Sequence, residues 1–238
     1  DIALWDIKGK VTGMPIYKLM GGAARTTFTM YKSIGGGMRM TPDEMLDLVK
    51  TAHDQGFKAV KIRMDYGPFK QDVDLDKDLE MFRVCRDFLP DSTPLSFDAN
   101  NGYSVNGAIQ QGRRFEEFGI YHFEEPVAQY NYEGIRQVAD ALDVPISAGE
   151  HEYTRWQFRD LILQARPDIL QPDIVKCAGI TEMKRIATLA ETFDMQLLPH
   201  QTQPSIGNAA SLHVVSTLPQ STRPHEYTGP RPISTTFS

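Results

Sequence analysis

The 238-residue sequence predicts an α/β fold in which parallel strands close into a barrel. Short apolar runs alternate with amphipathic stretches along the whole chain, which is typical of consecutive βα units. Eight such runs begin 23 to 35 residues apart, close to the roughly 30 residues that one βαβ unit occupies. The length also suits one α/β barrel domain.

The predicted strands lie at residues 27–32, 59–62, 94–98, 122–124, 145–148, 169–171, 196–198 and 223–227. An open, doubly wound sheet is the main competing fold. The sequence lacks the glycine-rich fingerprints of nucleotide-binding sheets, so the open sheet loses its usual support. Gly35-Gly36-Gly37 follows the first strand without the Lys and Ser/Thr of a phosphate loop, which favours a flexible connection.

Three helix starts carry local signals between these strands. Thr41-Pro42-Asp43-Glu44 predicts a capping box with proline at the first helical position. Ser104 and Thr181 each precede an amphipathic stretch, and both are predicted to cap the helix that follows.

Composition argues against several functional classes. The chain has 25 Lys and Arg against 31 Asp and Glu, with no basic stripe, so nucleic acid is not expected as the main partner. No apolar run approaches the ~18 residues of a membrane span, and we expect no membrane partner. Two cysteines, Cys85 and Cys177, cannot build a disulfide framework, which favours a cytoplasmic location.

Three acidic residues close consecutive predicted strands. Asp98, Glu124 and Glu150 end the third, fourth and fifth runs at intervals of 26 residues. Strand ends of a parallel barrel meet at one rim, where active sites form. Three carboxylates so close together repel one another unless a cation neutralises them. A set of ligands that are all oxygen atoms favours Mg²⁺ over Zn²⁺. Single acids at strand ends are often loop residues or helix caps, but three in register favour a metal site.

Other polar residues close the remaining runs. Asp173 and His200 follow the sixth and seventh strands, and the carboxylate would orient the imidazole as a general base. Lys61 and Arg63 alternate on the second strand and so face inward together. They would neutralise a substrate carboxylate or enolate, or else form salt bridges with the acids of the rim. Glu226 on the eighth strand would donate a hydrogen bond if it were protonated.

This ordered set of motifs resembles the enolase superfamily, specifically its mandelate racemase subgroup. The resemblance extends over nearly the whole chain and includes residues 1–10 and 19–22, which resemble the segment that leads into the family's barrel. The resemblance rests on Lys-x-Arg, Asp, Glu-Glu-Pro, Gly-Glu, Pro-Asp, Pro-His and a last Glu on successive strand ends.

The resemblance implies a modified TIM barrel, (β/α)7β, from which the family's α+β capping domain is largely missing. It implies that residues 1–25 lead from that domain into a barrel domain at 26–238, truncated at its C-terminal end. It further implies that Asp98, Glu124 and Glu150 bind Mg²⁺, and that His200, paired with Asp173, is the acid/base group on one face of the substrate.

Lys61 and Arg63 fall where many members of the family have Lys-x-Lys, whose second lysine is the base on the other face. Arg63 departs from that pattern, and a guanidinium is a poor base because it stays protonated. Asn100, on the same strand face as Asp98, is a candidate for a substrate or supporting contact. His151, Tyr153, Arg155 and Gln201 lie just beyond strand ends, where they would reach a polyol chain or serve only as loop residues.

With one clear base, the resemblance favours dehydration of an acid sugar to a 2-keto-3-deoxy acid over racemisation, which needs a base on each face. A racemase or epimerase is the alternative on the same scaffold, and a metal-binding relative without turnover is the non-enzymatic one. The expected partner is a small-molecule carboxylate. Similar proteins also lead us to expect a homo-oligomer.

Overall fold

Eight parallel strands form one sheet in the computed structural model, which describes residues 1–202 and 206–229. The strands are β1 (Met30–Ile34), β2 (Ala59–Arg63), β3 (Leu95–Asp98), β4 (Phe123–Glu124), β5 (Ile146–Ala148), β6 (Ile169–Leu170), β7 (Gln196–Leu197) and β8 (His225–Tyr227). Their order across the sheet is β7-β6-β5-β4-β3-β2-β1-β8, so β1 to β7 pair in the order of the sequence and β8 pairs with β1.

A helix connects each strand to the next. Two helices, α1 (Ile2–Thr12) and α2 (Ile16–Leu19), precede the sheet. The connecting helices are α3 (Pro42–Asp54), α4 (Leu75–Phe88), α5 (Val105–Glu116), α6 (Tyr132–Ala141), α7 (Thr154–Asp160), α8 (Ile180–Thr192) and α9 (Ile206–Val215). This alternation is the (β/α)7β barrel that the sequence predicts. Within the described ranges, no helix is both long and apolar enough to cross a bilayer.

The ladder of backbone hydrogen bonds around the sheet is interrupted between β7 and β8, and side chains join these two strands instead. The Ser221 hydroxyl donates to the Leu197 carbonyl at 2.7 Å, and Arg223 Nε donates to Gln196 Oε1 at 2.6 Å. These bonds hold β7 against the segment that enters β8. The ring of strands is therefore closed by side chains at its amino-terminal end, opposite the rim.

The helix caps at Thr41 and Ser104 are confirmed. Thr41 forms the complete capping box with Glu44, and Ser104 Oγ accepts from the Gly107 amide. The prediction for Thr181 is wrong, because α8 already begins at Ile180. The carboxylate of Asp1 instead accepts from the amide and the hydroxyl of Thr181, so the start of the chain supplies the capping group.

Five strands begin later than predicted, three of them by a single residue. The first begins at Met30 rather than at residue 27, and the last begins at His225 rather than at residue 223. Proline has no amide hydrogen, so Pro224 cannot donate to β1. The first bond of this ladder runs from the His225 amide to the Thr29 carbonyl at 2.7 Å.

The barrel interior has an apolar floor beneath a charged rim. Tyr31, Ala59, Ile169 and Leu198 form a small buried cluster inside the ring of strands. A larger core fills the space between sheet and helices, where aromatic rings from β3, β4, α4 and α5 pack at centroid distances of 4.4 to 6.3 Å. This small cluster lies beneath the polar side chains that end the strands.

Outside the rim, Asp78 on α4 ties two of the loops together. Its carboxylate accepts from the hydroxyls of Tyr66 and Tyr103 at 2.7 Å each, and these tyrosines follow β2 and β3. Burial raises the pKa of Asp78 to about 6, although both hydroxyls favour the charged form. The folded protein therefore holds this proton more tightly than the unfolded chain does.

This raised pKa predicts a pH-dependent contribution to stability. A carboxyl group with a raised folded-state pKa favours the folded state at low pH, and that contribution is lost as pH rises from about 4 to about 6. The free energy of unfolding of wild type relative to Asp78→Asn should fall by roughly 3 kcal/mol across this window. Urea unfolding at several pH values measures the difference, and a difference independent of pH would contradict the assignment.

Candidate active site

Three of the predicted acidic residues lie at one rim of the barrel. Strand register pairs Arg63 with Asp98 and Asp98 with Glu124, so these side chains end neighbouring strands at the same height. Glu150 follows β5 after Gly149, whose φ of 126° is a conformation that glycine adopts without strain. All three carboxyl groups are buried.

The charge of Asp98 is poorly compensated. Its two oxygens accept from the Asn100 amide at 2.7 Å and from Asn100 Nδ2 at 3.1 Å. Burial and the neighbouring Glu124 carboxylate nevertheless raise its pKa well above the ordinary value, with Glu150 adding to the repulsion. Any cation that enters the rim would therefore stabilise the ionised form of Asp98.

Lys61 lies in the middle of these acids and is 1% exposed. Its Nζ is 2.6 Å from Glu124 Oε1, 3.0 Å from Glu226 Oε1 and 3.8 Å from Asp98 Oδ2. Burial opposes the charge, but Glu124 and Glu226 outweigh it and raise the pKa of the Lys61 ammonium. Of the two roles that the sequence leaves open, the structure shows the salt bridge with the rim acids.

His200 bridges two carboxylates. Its Nδ1 lies 2.8 Å from Asp173 Oδ2, and its Nε2 lies 2.9 Å from Glu150 Oε2. Burial disfavours the imidazolium, but Glu226, Asp173 and Glu150 together raise the pKa of His200 well above its ordinary value. The predicted pairing of Asp173 with His200 is thus present in the structure, and the other ring nitrogen, Nε2, faces the rim acid Glu150.

Glu226 accepts hydrogen bonds in the structure, whereas the sequence predicts a donor. Its Oε2 accepts from the Gln201 amide at 2.8 Å, while its Oε1 meets Lys61. Burial opposes ionisation, but Lys61 and His200 lower the pKa of Glu226 below the ordinary value. The group is therefore an ionised acceptor, because two cations face it.

The remaining predicted residues lie around this centre. Arg63 forms an ion pair with Asp65 at 2.8 Å, and its pKa is raised, since Asp65 and Asp98 outweigh the effect of burial. The Asn100 side chain donates from Nδ2 to Asp98 and accepts from the Asp65 amide with Oδ1, so it holds Asp98 in place at the rim. His151 is 39% exposed and reaches Glu150 with Nε2 at 3.2 Å.

Two buried residues of the rim are absent from the sequence-based set. Gln171 donates from Nε2 to Glu124 Oε2 at 2.6 Å, and it closes β6 just as the chosen residues close their strands. Glu125, the second acid of Glu-Glu-Pro, accepts from Asn101 Nδ2 at 2.7 Å. Its positive φ of 41° turns the chain so that two successive acids stay at the rim.

One group of potential ligand atoms lies within 4.8 Å of one another among the described residues. It consists of Glu125, Glu150 and His151, and it shares Glu150 with the predicted trio. Asp98 and Glu124 contribute further carboxylate oxygens at the same rim. Oxygen donors outnumber nitrogen donors here, and such a set suits a hard divalent cation.

The central position of Lys61 predicts a large loss of stability on its removal. Lys61→Met should lower the free energy of unfolding by about 3–5 kcal/mol, because buried carboxylates lose their counter-ion. Lys50→Met is the matched control, since its pair with Asp47 is solvent-exposed and worth about 0–1 kcal/mol. Urea unfolding in EDTA measures both, and equal effects would contradict the role of Lys61.

Comparison with known proteins places this geometry in a family. The sequence matches the model of the enolase C-terminal domain-like family over residues 44–237. Arabinonate dehydratase of Saccharolobus solfataricus is 34% identical over 224 residues, covering 92% of this chain and 57% of that protein. D-galactarolactone cycloisomerase of Agrobacterium fabrum is 33% identical over 221 residues, covering 92% and 56%.

A solved structure agrees with these relatives. The mandelate racemase/muconate lactonizing protein from Paracoccus denitrificans, complexed with magnesium, superposes with a TM-score of 0.91 at 46% identity. The match covers 94% of this chain and 60% of that one, so the chain spans less than two thirds of each relative named here. With its parallel barrel and its acidic rim, the chain belongs to the enolase superfamily, as a member of the enolase C-terminal domain-like family.

Proposed function

We propose that this chain carries the catalytic barrel of a Mg²⁺-dependent dehydratase that converts an acid sugar into a 2-keto-3-deoxy acid. The proposal rests on His200, which is held between Asp173 and Glu150 at the rim that also holds the proposed metal ligands. A base fixed beside a metal site is the arrangement that abstraction of a proton next to a carboxylate requires.

Asp98, Glu124 and Glu150 are the residues that would hold the metal. Their fit rests on the donor set, all carboxylate oxygens, and on the unrelieved repulsion that raises the pKa of Asp98. The magnesium bound by the Paracoccus denitrificans relative supports the choice of ion. When bound, Mg²⁺ supplies positive charge that lowers the cost of forming an enediolate from the substrate carboxylate.

His200 serves in turn as base and acid. The carboxylates around His200 raise its pKa, and a divalent cation held by Glu150 would offset part of that negative charge. The neutral imidazole would then take the α-proton, and the electrons of the broken C–H bond pass into the enediolate. The imidazolium then gives that proton to the β-hydroxyl, which leaves as water, and the resulting enol becomes the 2-keto product. Asp173 fixes the ring through Nδ1 and stabilises the imidazolium between the two transfers.

The other face of the site favours elimination over racemisation. Arg63 and Lys61 are the cations there, and neighbouring carboxylates raise the pKa of both groups against the effect of burial. Neither is a neutral base, so a second proton acceptor is missing from the positions that racemisation would use. Arabinonate dehydratase and the L-talarate/galactarate dehydratase of Salmonella typhimurium, 34% identical over 200 residues, support this choice.

His151 is the proposed contact to the substrate chain. The ring is partly exposed and adjoins Glu150, so a polyol bound at the metal would pass its imidazole. Asn100 acts by holding Asp98 in place, since both ends of its amide are already engaged within the rim.

Removal of the His200 imidazole tests the proposed reaction. The full-length protein is assayed with Mg²⁺ and a panel of acid sugars, using semicarbazide absorbance for the 2-keto product and solvent deuterium exchange at the α-carbon. His200→Asn should lower turnover by about 10²–10⁴-fold, the usual contribution of a general base. His53→Asn, on the outer helix α3, is the matched control and should retain turnover.

The outcomes separate the alternatives. Retained dehydration in His200→Asn contradicts the assigned role. Deuterium exchange without a keto product in wild type indicates a racemase or epimerase. Metal binding with neither exchange nor product indicates a relative without turnover.

A further inference from the structure

Gly35 leaves the space that the Arg63 guanidinium fills. A Cβ atom built on Gly35 would lie 2.9 Å from Arg63 Nε and 3.0 Å from Arg63 Cζ, tighter than ordinary van der Waals contact, so the flexible end of the arginine side chain would have to shift. The backbone after β1 and the side chain that ends β2 are therefore in direct contact. The Gly35-Gly36-Gly37 stretch, predicted only as a flexible loop, has a specific packing partner.

Asp65 holds the same guanidinium from another side. Its Oδ1 lies 2.8 Å from Arg63 Nε, and its Oδ2 accepts from the Gly36 amide at 2.7 Å. The Asp65 amide in turn donates to Asn100 Oδ1 at 2.8 Å, and Asn100 is bonded to Asp98. These contacts link the orientation of Arg63 to the acidic rim.

The terminal amino groups of Arg63 have no hydrogen bond within the part of the chain that the structure describes. The side chain is 27% exposed, and strand register pairs Arg63 with Asp98, so it lies beside the rim. Lys61, by contrast, is enclosed by Glu124 and Glu226. Of these two cations, Arg63 is the one with donors available to an incoming anion.

We propose that Gly35 and Asp65 form a cradle that holds the Arg63 guanidinium as the donor for the substrate's carboxylate oxygens. Gly35 is then a positioning residue, and Arg63 is the group that binds the anion through the planar donor pair suited to carboxylates. The identity of the substrate as a carboxylate rests on the proposed function; the cradle itself rests on the contacts above.

Binding of oxalate, a planar dianion that resembles an enediolate, tests the cradle without turnover. Calorimetry on the full-length protein with saturating Mg²⁺ measures its Kd for wild type, Gly35→Ala, Arg63→Met and the double variant. Gly35→Ala keeps the charge but displaces the guanidinium, and should weaken oxalate binding about tenfold or more, as should Arg63→Met. The double variant should bind like Arg63→Met, because Gly35 acts through that side chain.

Two further measurements separate positioning from general damage. The Kd for Mg²⁺ alone should not change in Gly35→Ala, because the cradle contains none of the three proposed metal ligands. Arg63→Lys should recover part of the oxalate affinity. Wild-type affinity in Gly35→Ala, an equal further loss from Gly35→Ala in the Arg63→Met background, or no oxalate binding by wild type would overturn the proposal. Failure to find a 2-keto product would refute the proposed function alone.

Discussion

Repulsion between buried carboxylates governs the chemistry of this site. Six acidic side chains are buried at the rim: Asp98, Glu124, Glu125, Glu150, Asp173 and Glu226. Lys61 and His200 are the buried cations among them, with Arg63 beside the rim. This imbalance leaves a negative excess in a region of low dielectric, where such an excess is most costly. The same imbalance makes the rim receptive to a divalent cation.

The barrel supplies the geometry that creates this crowding. Parallel pairing in register places the last residue of β2, β3 and β4 at one level, and side-chain bonds between Ser221 or Arg223 and β7 complete the ring. A small apolar cluster lies beneath the rim. Backbone hydrogen bonds fix these positions. The stability of the whole sheet therefore offsets the unfavourable free energy of bringing the charges together. Function and stability oppose each other at the rim, as is common in active sites.

Much of this arrangement could be predicted because it depends on strand ends. Asp98, Glu124 and Glu150 follow from the period of the βα units, and the Thr41 cap follows from four adjacent residues. Contacts between distant segments left no local signal: Asp1 at the start of α8, and Arg63 against Gly35. The ionised state of Glu226 also required the structure, since it depends on which cations face the carboxylate.

Calorimetric titration of the metal-free protein with Mg²⁺ distinguishes a metal-binding rim from an acidic rim that binds no metal. Wild type should bind one Mg²⁺ per chain, and Asp98→Asn should bind it about tenfold or more weakly, because a charged oxygen ligand is lost. Asp47→Asn, an exposed acid on α3, should bind as wild type does. Absence of binding in wild type, or undiminished affinity in Asp98→Asn, would contradict the account of the rim as a metal centre.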